Sequence, residues 1–432
     1  MKTVLKIIAI LIVIGMSVGL LSCSEALGSI LDAGAHVSFS PVKPDTDEPD
    51  EKTEENDENK EEDKVVLPSG MITAGAWNDN DNYEMWVNLF SQADKENDLE
   101  EGKFFVYSAD KGWGFNSLKR VKVSVTFEGS PVAGATVKAY DENENMVFSA
   151  VSDAQGNAYL FVKDDNGKVV VESGEVSASA TFDRENRELS LELDGCEEKL
   201  NVIEIMFVVD VTGSMGDEIS FLKAELADVI NKIASNDENT IINLAFLFYR
   251  DLDDKVPFDY DEFMDVTNSV GMALRQAELN NQHASGGGDY EEAVDEALEM
   301  AVSAQWSTGA TTKLIFHLLD APAHSGTPYE EKFNNAVMTA AEKGIRICPI
   351  LCSGAAEITE YTMRQAAIYT GGTFIFVTDD SGIGDLHHDP NLPNVTVELL
   401  NSMLVRLVKG YHTGEFDNPI FWMDDPALAI QK

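Results

Sequence analysis

The chain has 432 residues, enough for two or three domains that each bury a core of their own. Its 31 Lys and Arg stand against 76 Asp and Glu, a net charge of -45. A phosphate backbone needs clustered basic residues, so nucleic acid is excluded as a partner. An acidic surface favours solubility and attracts cations, and it says nothing about fold.

Residues 1–22 read as an export signal: Lys2 and Lys6 precede the apolar run "IIAILIVIGMSVGLLS", which is short for a membrane-spanning helix and ends at "LLSC". That ending resembles the lipobox of bacterial lipoproteins. The resemblance implies Cys23 as the lipidated first residue of the mature protein, anchored outside the cytoplasm to a bacterial cell-envelope membrane. An ordinary signal peptide or an uncleaved anchor is the alternative, and each also places the protein outside the cytoplasm.

Residues 23–68 are expected to be a disordered acidic linker. Within them, 44–64 hold twelve acids and three Lys with no aromatic or aliphatic residue to bury, so ordering entropy goes uncompensated and like charges repel. Loose calcium capture along this stretch is the alternative. In the aromatic-rich segment 69–118, Trp77, Tyr83, Trp86, Leu89 and Phe90 recur at near-helical spacing. The spacing predicts a short helix docked on a neighbouring domain, N-capped by Asp79 or Asp81. The alternating Asn and Asp there lack the mid-loop Gly and closing Glu of an EF-hand.

Over 119–197 the period becomes two. Runs such as "RVKVSVTFEG", "GATVKAYDEN" and "RELSLELDG" are separated by Gly, Asn and Asp turns, which predicts a small antiparallel β-sandwich. The stretch "GSPVAGATVKAYDENENMVFSAVSDAQGNAYLFV" resembles the carboxypeptidase-regulatory-like sandwich of bacterial surface proteins, which implies a spacer or structural module without catalytic residues. Over 200–412, strands apolar throughout ("VIEIMFVV", "INLAFLFY", "KLIFHLL", "IRICPIL", "TFIFV") alternate with amphipathic stretches such as "EISFLKAELADVINKIAS" and "EEAVDEALEMAVSA". Strands of that kind are buried on both faces, so a doubly wound α/β domain with a mostly parallel sheet is expected. Glycines in "EKGIR" and "YTGGTF" stand where helix ends feed strands. The tail, 413–432, carries apolar residues that need a surface to pack on. Cys348 and Cys352 lie on one strand about 13 Å apart, beyond the reach of a disulfide, and read as buried, inert thiols.

The chemistry concentrates at strand ends. In open α/β sheets ligands bind beyond the carboxyl ends of the strands, where strand order reverses. Asp210 follows "IMFVV" and Asp320 follows "LIFHLL"; if the order reverses between those strands, the carboxylates are neighbours. Adjacent carboxylates repel unless one is protonated or a cation lies between them. Together with the hydroxyls of Thr212 and Ser214 they make an oxygen set suited to Mg²⁺ or Mn²⁺.

"DVTGSM" resembles the first motif, Asp-x-Ser-x-Ser, of the metal-ion-dependent adhesion site of von Willebrand factor A domains, with Thr keeping the first hydroxyl. The resemblance extends over about two hundred residues of strand and helix order and implies a doubly wound sheet with the cation at its top. Asp320, in "LLDAPAH", matches the third-loop Asp. The second loop departs from the family: where Gly-Gly-Thr is usual, "SGGGDYEEAVDEAL" places Gly288 at the Thr position, with Asp289 next. Asp289 stands in for the Thr, directly or through water, or else caps the following helix. A third carboxylate makes the ion a weaker acceptor for an acidic partner and brings Ca²⁺ and less anionic ligands into range.

The implied function is a non-enzymatic, adhesion-type lipoprotein that takes a protein or glycan ligand through a divalent cation. The predicted site comprises the cation ligands Asp210, Thr212, Ser214, Asp289 and Asp320, with His324 and Gly288 facing the ligand. The alternative is a metal-dependent phosphohydrolase using Asp210, supported only by the likeness of "DVTGS" to phosphorylation loops whose other motifs are missing. Zinc is disfavoured because His317 precedes Asp320 by three residues on a strand and faces the other way.

Overall fold

The computed structural model describes residues 70–93, 100–107, 113–216, 219–236, 239–288, 290–309 and 311–430, all within the unit Lys64–Lys432. The export signal with Cys23, the acidic linker and Asp289 lie outside the described residues. The described part begins with strand β1 (Thr73–Trp77) and helix α1 (Tyr83–Asn88). Eight strands follow: β2 (Arg120–Phe127), β3 (Ser130–Pro131), β4 (Thr136–Tyr140), β5 (Met146–Val151), β6 (Asn157–Phe161), β7 (Gly167–Ser173), β8 (Val176–Phe182) and β9 (Glu188–Glu192). The remainder is β10 (Val202–Asp210), α2 (Ile219–Asn236), β11 (Ile241–Tyr249), β12 (Phe258–Asp265), α3 (Ser269–Asn281), α4 (Val294–Ser303) and β13 (Thr312–Leu319). It continues through α5 (Thr327–Lys343), β14 (Ile345–Leu351), α6 (Glu357–Thr370), β15 (Phe374–Val377), β16 (Glu398–Leu399), α7 (Leu400–Thr413) and α8 (Pro426–Ile430).

The large sheet has the order β12-β11-β10-β13-β14-β15-β1-β16. Strands β11, β10, β13, β14 and β15 are parallel, while β12 and β1 run antiparallel to their neighbours. Every residue of β13 and β14 is buried, as strands covered on both faces require. Alternation splits each strand between two layers: Ile205, Phe207 and Val209 pack with residues of α2 and α7, whereas Met206 and Val208 pack with residues of α4, α5 and α6. Helices α5 and α6 stop at Gly344 and Gly371, whose φ of +69° and +70° only glycine adopts without cost.

Because helices run antiparallel to the parallel strands, their carbonyl ends gather at the amino edge of the sheet. Four cations meet them there. Lys343 Nζ donates to Val302 O of α4 at 2.8 Å, Lys313 Nζ to Lys343 O of α5 at 3.2 Å and Arg346 Nη1 to Thr370 O of α6 at 2.7 Å. Lys199 Nζ donates to His412 O of α7. Each offsets the negative end of a helix dipole.

The sandwich is built from two four-stranded sheets, one of β3, β2, β6 and β9 and the other ordered β5-β4-β7-β8. All pairings are antiparallel except β2 with β9, which is parallel. Its core is continuous with the α5–α6 face of the large sheet: Tyr369 stacks on Phe161 at 4.5 Å between centroids and meets Phe148 and Phe115 at 5.6 and 5.1 Å. The sandwich is thus docked through aromatic side chains.

The first segment differs from the helix expected for it. Thr73–Trp77 is a strand inserted between β15 and β16, and only Tyr83–Asn88 is helical. Asp79 is no N-cap. Its carboxylate receives Arg364 Nε at 2.9 Å and Nη2 at 2.5 Å, and Glu360 takes Nη1 at 2.7 Å, all three residues being buried. Asn82 holds the cap position without a side-chain bond. Burying three charges that a hydrophobic segment could not satisfy fixes the chain locally in place of a cap. Glu225 of α2 secures the entry to β1, accepting from the backbone N–H groups of Gly70, Met71 and Ile72 at 2.8, 2.6 and 3.0 Å.

Strand β12 pairs with β11 at the sheet edge and was not anticipated. The tail packs in part, with Phe416 against Tyr411 at 5.3 Å, while Ile420, Phe421 and Met423 remain exposed. Cys348 and Cys352 are buried free thiols and Cys196 is an exposed one.

Candidate functional site

Strand order reverses at β10 and β13: β11 and β12 extend from β10 in one direction, and β14 and β15 from β13 in the other. Asp210 ends β10 and Asp320 immediately follows β13. The apolar strands carry both carboxylates to the crevice that this topology opens at their carboxyl ends. Asp210 is fully buried and Asp320 nearly so.

The chain turns sharply after Asp210. Its Oδ1 accepts from the backbone N–H of Thr212 at 2.8 Å and from Thr212 Oγ1 at 2.7 Å, while Ser214 Oγ lies 3.1 Å from Thr212 Oγ1. The other oxygen, Asp210 Oδ2, is buried without a hydrogen-bond partner among the described residues. Burial, with the neighbouring Asp320 charge second, pushes the Asp210 carboxyl up from 3.8 to about 7, against the opposing bonds from Thr212.

The second loop is held by other residues. Gly213 N–H donates to Gly286 O at 3.1 Å and Ser285 N–H to Val211 O at 2.9 Å, so the loop lies along the first turn. Arg250 Nε and Nη2 donate to the carbonyls of Ser285 and His283 at 2.9 and 3.1 Å. Gly287 N–H donates to Asp254 Oδ2 at 2.8 Å. Gly288 is exposed, with open space where a Cβ would stand. His324 turns toward Asp251, Nε2 to Oδ1 3.3 Å, and tilts over Tyr329. His317 is buried in the sheet, where it meets Tyr249 OH at 3.1 Å, and burial lowers its pKa to about 3.

Of the sequence-predicted residues, Asp210, Thr212, Ser214 and Asp320 therefore come together, with Gly288 on the open side and His324 one residue layer away on Asp251. Sequence reasoning missed Glu292, Asp251 and Asp254. Glu292 is 3 % exposed; burial, then Asp210, Asp251, Asp320 and Asp254 in turn, push its carboxyl up from 4.5 to about 9. The signal for Asp251 and Asp254 was present, since "DLDD" opens two residues after the end of β11, at the same sheet edge.

Two carboxylates and two hydroxyls at the carboxyl ends of the strands form a hard oxygen set, and Asp210 Oδ2, without a partner among the described residues, is the kind of atom a divalent cation satisfies. Among the described residues no three His, Cys, Asp or Glu side chains converge as a ready ligand set. A cation here would rest on Asp210 and Asp320 with the hydroxyls of Thr212 and Ser214, and water would complete its shell.

The model of the von Willebrand factor A domain matches residues 204–379. Residues of this chain are 27 % identical over 127 positions to the Alpha-protein kinase vwkA of Dictyostelium discoideum, covering 29 % of this chain and 19 % of that protein. The chain thus spans about a fifth of that relative's length. Among solved structures it is similar to a von Willebrand factor type A protein from Catenulispora acidiphila (12 % identity, TM-score 0.33, 65 % of this chain and 51 % of that one). It is likewise similar to the pilus adhesin SpaC from Lactobacillus rhamnosus GG in its open conformation (11 % identity, TM-score 0.35, 63 % and 35 %). Residues 204–379, which carry Asp210 and Asp320, are thus similar to the von Willebrand factor A domain.

Proposed function

We propose that this chain is an extracytoplasmic, lipid-anchored binding protein whose von Willebrand A domain takes a protein or glycan ligand through a divalent cation. Asp210, Asp320, Thr212 and Ser214 hold the ion, and Asp289 of the second-loop sequence is the further candidate ligand. One observation carries the reading: a fully buried carboxylate oxygen, Asp210 Oδ2, has no partner among the described residues and lies beside a second buried carboxylate. Such an arrangement is costly unless a cation resides between the two. Mg²⁺ is the ion best suited to few protein ligands and several waters, with Mn²⁺ and Ca²⁺ as alternatives.

Export and anchorage rest on residues 1–22 and Cys23, with the acidic stretch 23–68 as tether and the docked sandwich as a carboxypeptidase-regulatory-like module. A nucleophilic role for Asp210 finds no support in its setting, because it is fully buried and Thr212 occupies one oxygen with two donors.

The test is capture from envelope or host material on immobilised protein, with Mg²⁺ and with a chelator, beside the variant Asp210→Asn. The reading predicts a ligand retained only with cation and only by the wild type. Capture indifferent to chelator and to Asp210→Asn would sink it.

A further inference from the structure

Glu292 lies where the three loops of the site meet. Its backbone N–H donates to Pro322 O at 3.0 Å, two residues after Asp320, and the residue forms a parallel bridge with Ala323. Its side chain reaches back under the second loop: a Cβ on Gly287 would stand 2.7 Å from Glu292 Oε1 and 3.3 Å from Thr212 Cβ. The backbone of Glu292 is thereby tied to the loop of Asp320, while its carboxylate lies against Gly287 of the glycine loop, which in turn packs next to Thr212.

It is also a poorly compensated group. Glu292 is 3 % exposed, its Oε2 is buried without a hydrogen-bond partner, and among the described residues no Lys or Arg forms an ion pair with it. The charged groups nearest in effect are all acids: Asp210, Asp251, Asp320 and Asp254. A buried carboxylate oxygen needs a donor, and side chains that only accept cannot supply one. Water bound to a divalent cation is a donor of the required strength, and a small hard cation keeps several such waters. Asp210, Asp320 and Glu292 do not themselves converge as a three-carboxylate set, which favours contact through water over direct ligation.

We infer that Glu292 is a positioning residue of the cation site, accepting a hydrogen bond from a cation-bound water and so supplying the second loop's contribution from behind the exposed glycines. The inference rests on the cation reading proposed above. It assigns the glycines a physical task as well: a side chain at 287 would displace the carboxylate.

The experiment is calorimetric titration of the full chain with MgCl₂ and with CaCl₂, for wild type, Glu292→Gln and Asp210→Asn, alongside melting temperatures with cation and with chelator. Glu292→Gln is expected to weaken cation affinity 10- to 100-fold, the range typical of groups that orient a metal's ligands. It should shrink the cation-induced rise in melting temperature while the chelated protein stays folded. Asp210→Asn should lose the response altogether. Wild-type affinity in Glu292→Gln, with Asp210→Asn defective, overturns the Glu292 assignment alone. Absence of any cation response in the wild type overturns the cation reading beneath it. An equal shift of the Glu292→Gln melting temperature with and without cation marks a structural role only and also overturns the assignment.

Discussion

Asp210→Asn tests the electrostatics of the crevice directly, because Asn keeps the shape and the acceptor for Thr212 while removing the charge. The wild-type carboxyl sits at about 7 against its ordinary 3.8. The folded chain therefore binds a proton more readily than the unfolded one, and this contribution to stability is fully present below pH 3.8 and lost as pH rises through about 7. Moving a carboxyl that far corresponds to roughly 4 kcal/mol. In chelator, Asp210→Asn should be more stable than wild type by about 2–4 kcal/mol at pH 8, less whatever the new amide loses beside Asp320. The gap should close by pH 4. Urea unfolding followed by far-ultraviolet circular dichroism at pH 4, 6 and 8, at fixed ionic strength, measures it. Adding Mg²⁺ at pH 8 should then reverse the order, stabilising only the wild type. Parallel pH profiles for the two proteins in chelator would show that Asp210 carries no buried charge that matters, and the reasoning would fail.

Two other substitutions probe how the first segment is held. Arg364→Met leaves Asp79 buried without its cation and Glu360 with His388 alone, and should cost about 3–5 kcal/mol in urea unfolding, most of it recovered by also making Asp79→Asn. A loss below about 1 kcal/mol would put the triad in the class of weak surface pairs. Glu225→Gln cannot accept three backbone N–H groups as a carboxylate does, so hydrogen exchange over residues 70–77 should quicken by at least about tenfold. Unchanged protection there would mean that β1 is held by its ladder alone.

What the sequence made legible follows from where physics leaves a single reading. Asp210 and Asp320 stand out because an acid ending an apolar strand has few structural reasons to be there, and strands buried on both faces fix which edge it reaches. Gly344 and Gly371 were readable as helix stops for a comparable local reason. Glu292 was not, since in "EEAVDEALEMAVSA" it reads as the first turn of an amphipathic helix. The helix starts at Val294, leaving Glu292 extended beside Ala323, a tertiary contact that no periodicity carries. Strand β1, "TAGAW", has small residues and little intrinsic strand preference. It forms because β15 and β16 offer unpaired backbone on either side and Glu225 fixes the register. Strand β12, "FDYDEFMD", did alternate apolar with acidic residues, but that period was obscured by its acids.

The direction of β1 has a geometric consequence. Running antiparallel to β15, with Ala74 opposite Val377 and Trp77 opposite Phe374, it begins at the carboxyl edge of the parallel strands, the edge that holds Asp320. Three strand spacings separate β1 from β13, about 14 Å. The start of β1 therefore lies at the same edge of the sheet as the crevice and not at the opposite pole of the domain. A partner seated over Asp320 and broad enough to span three strands would therefore also cover the start of β1.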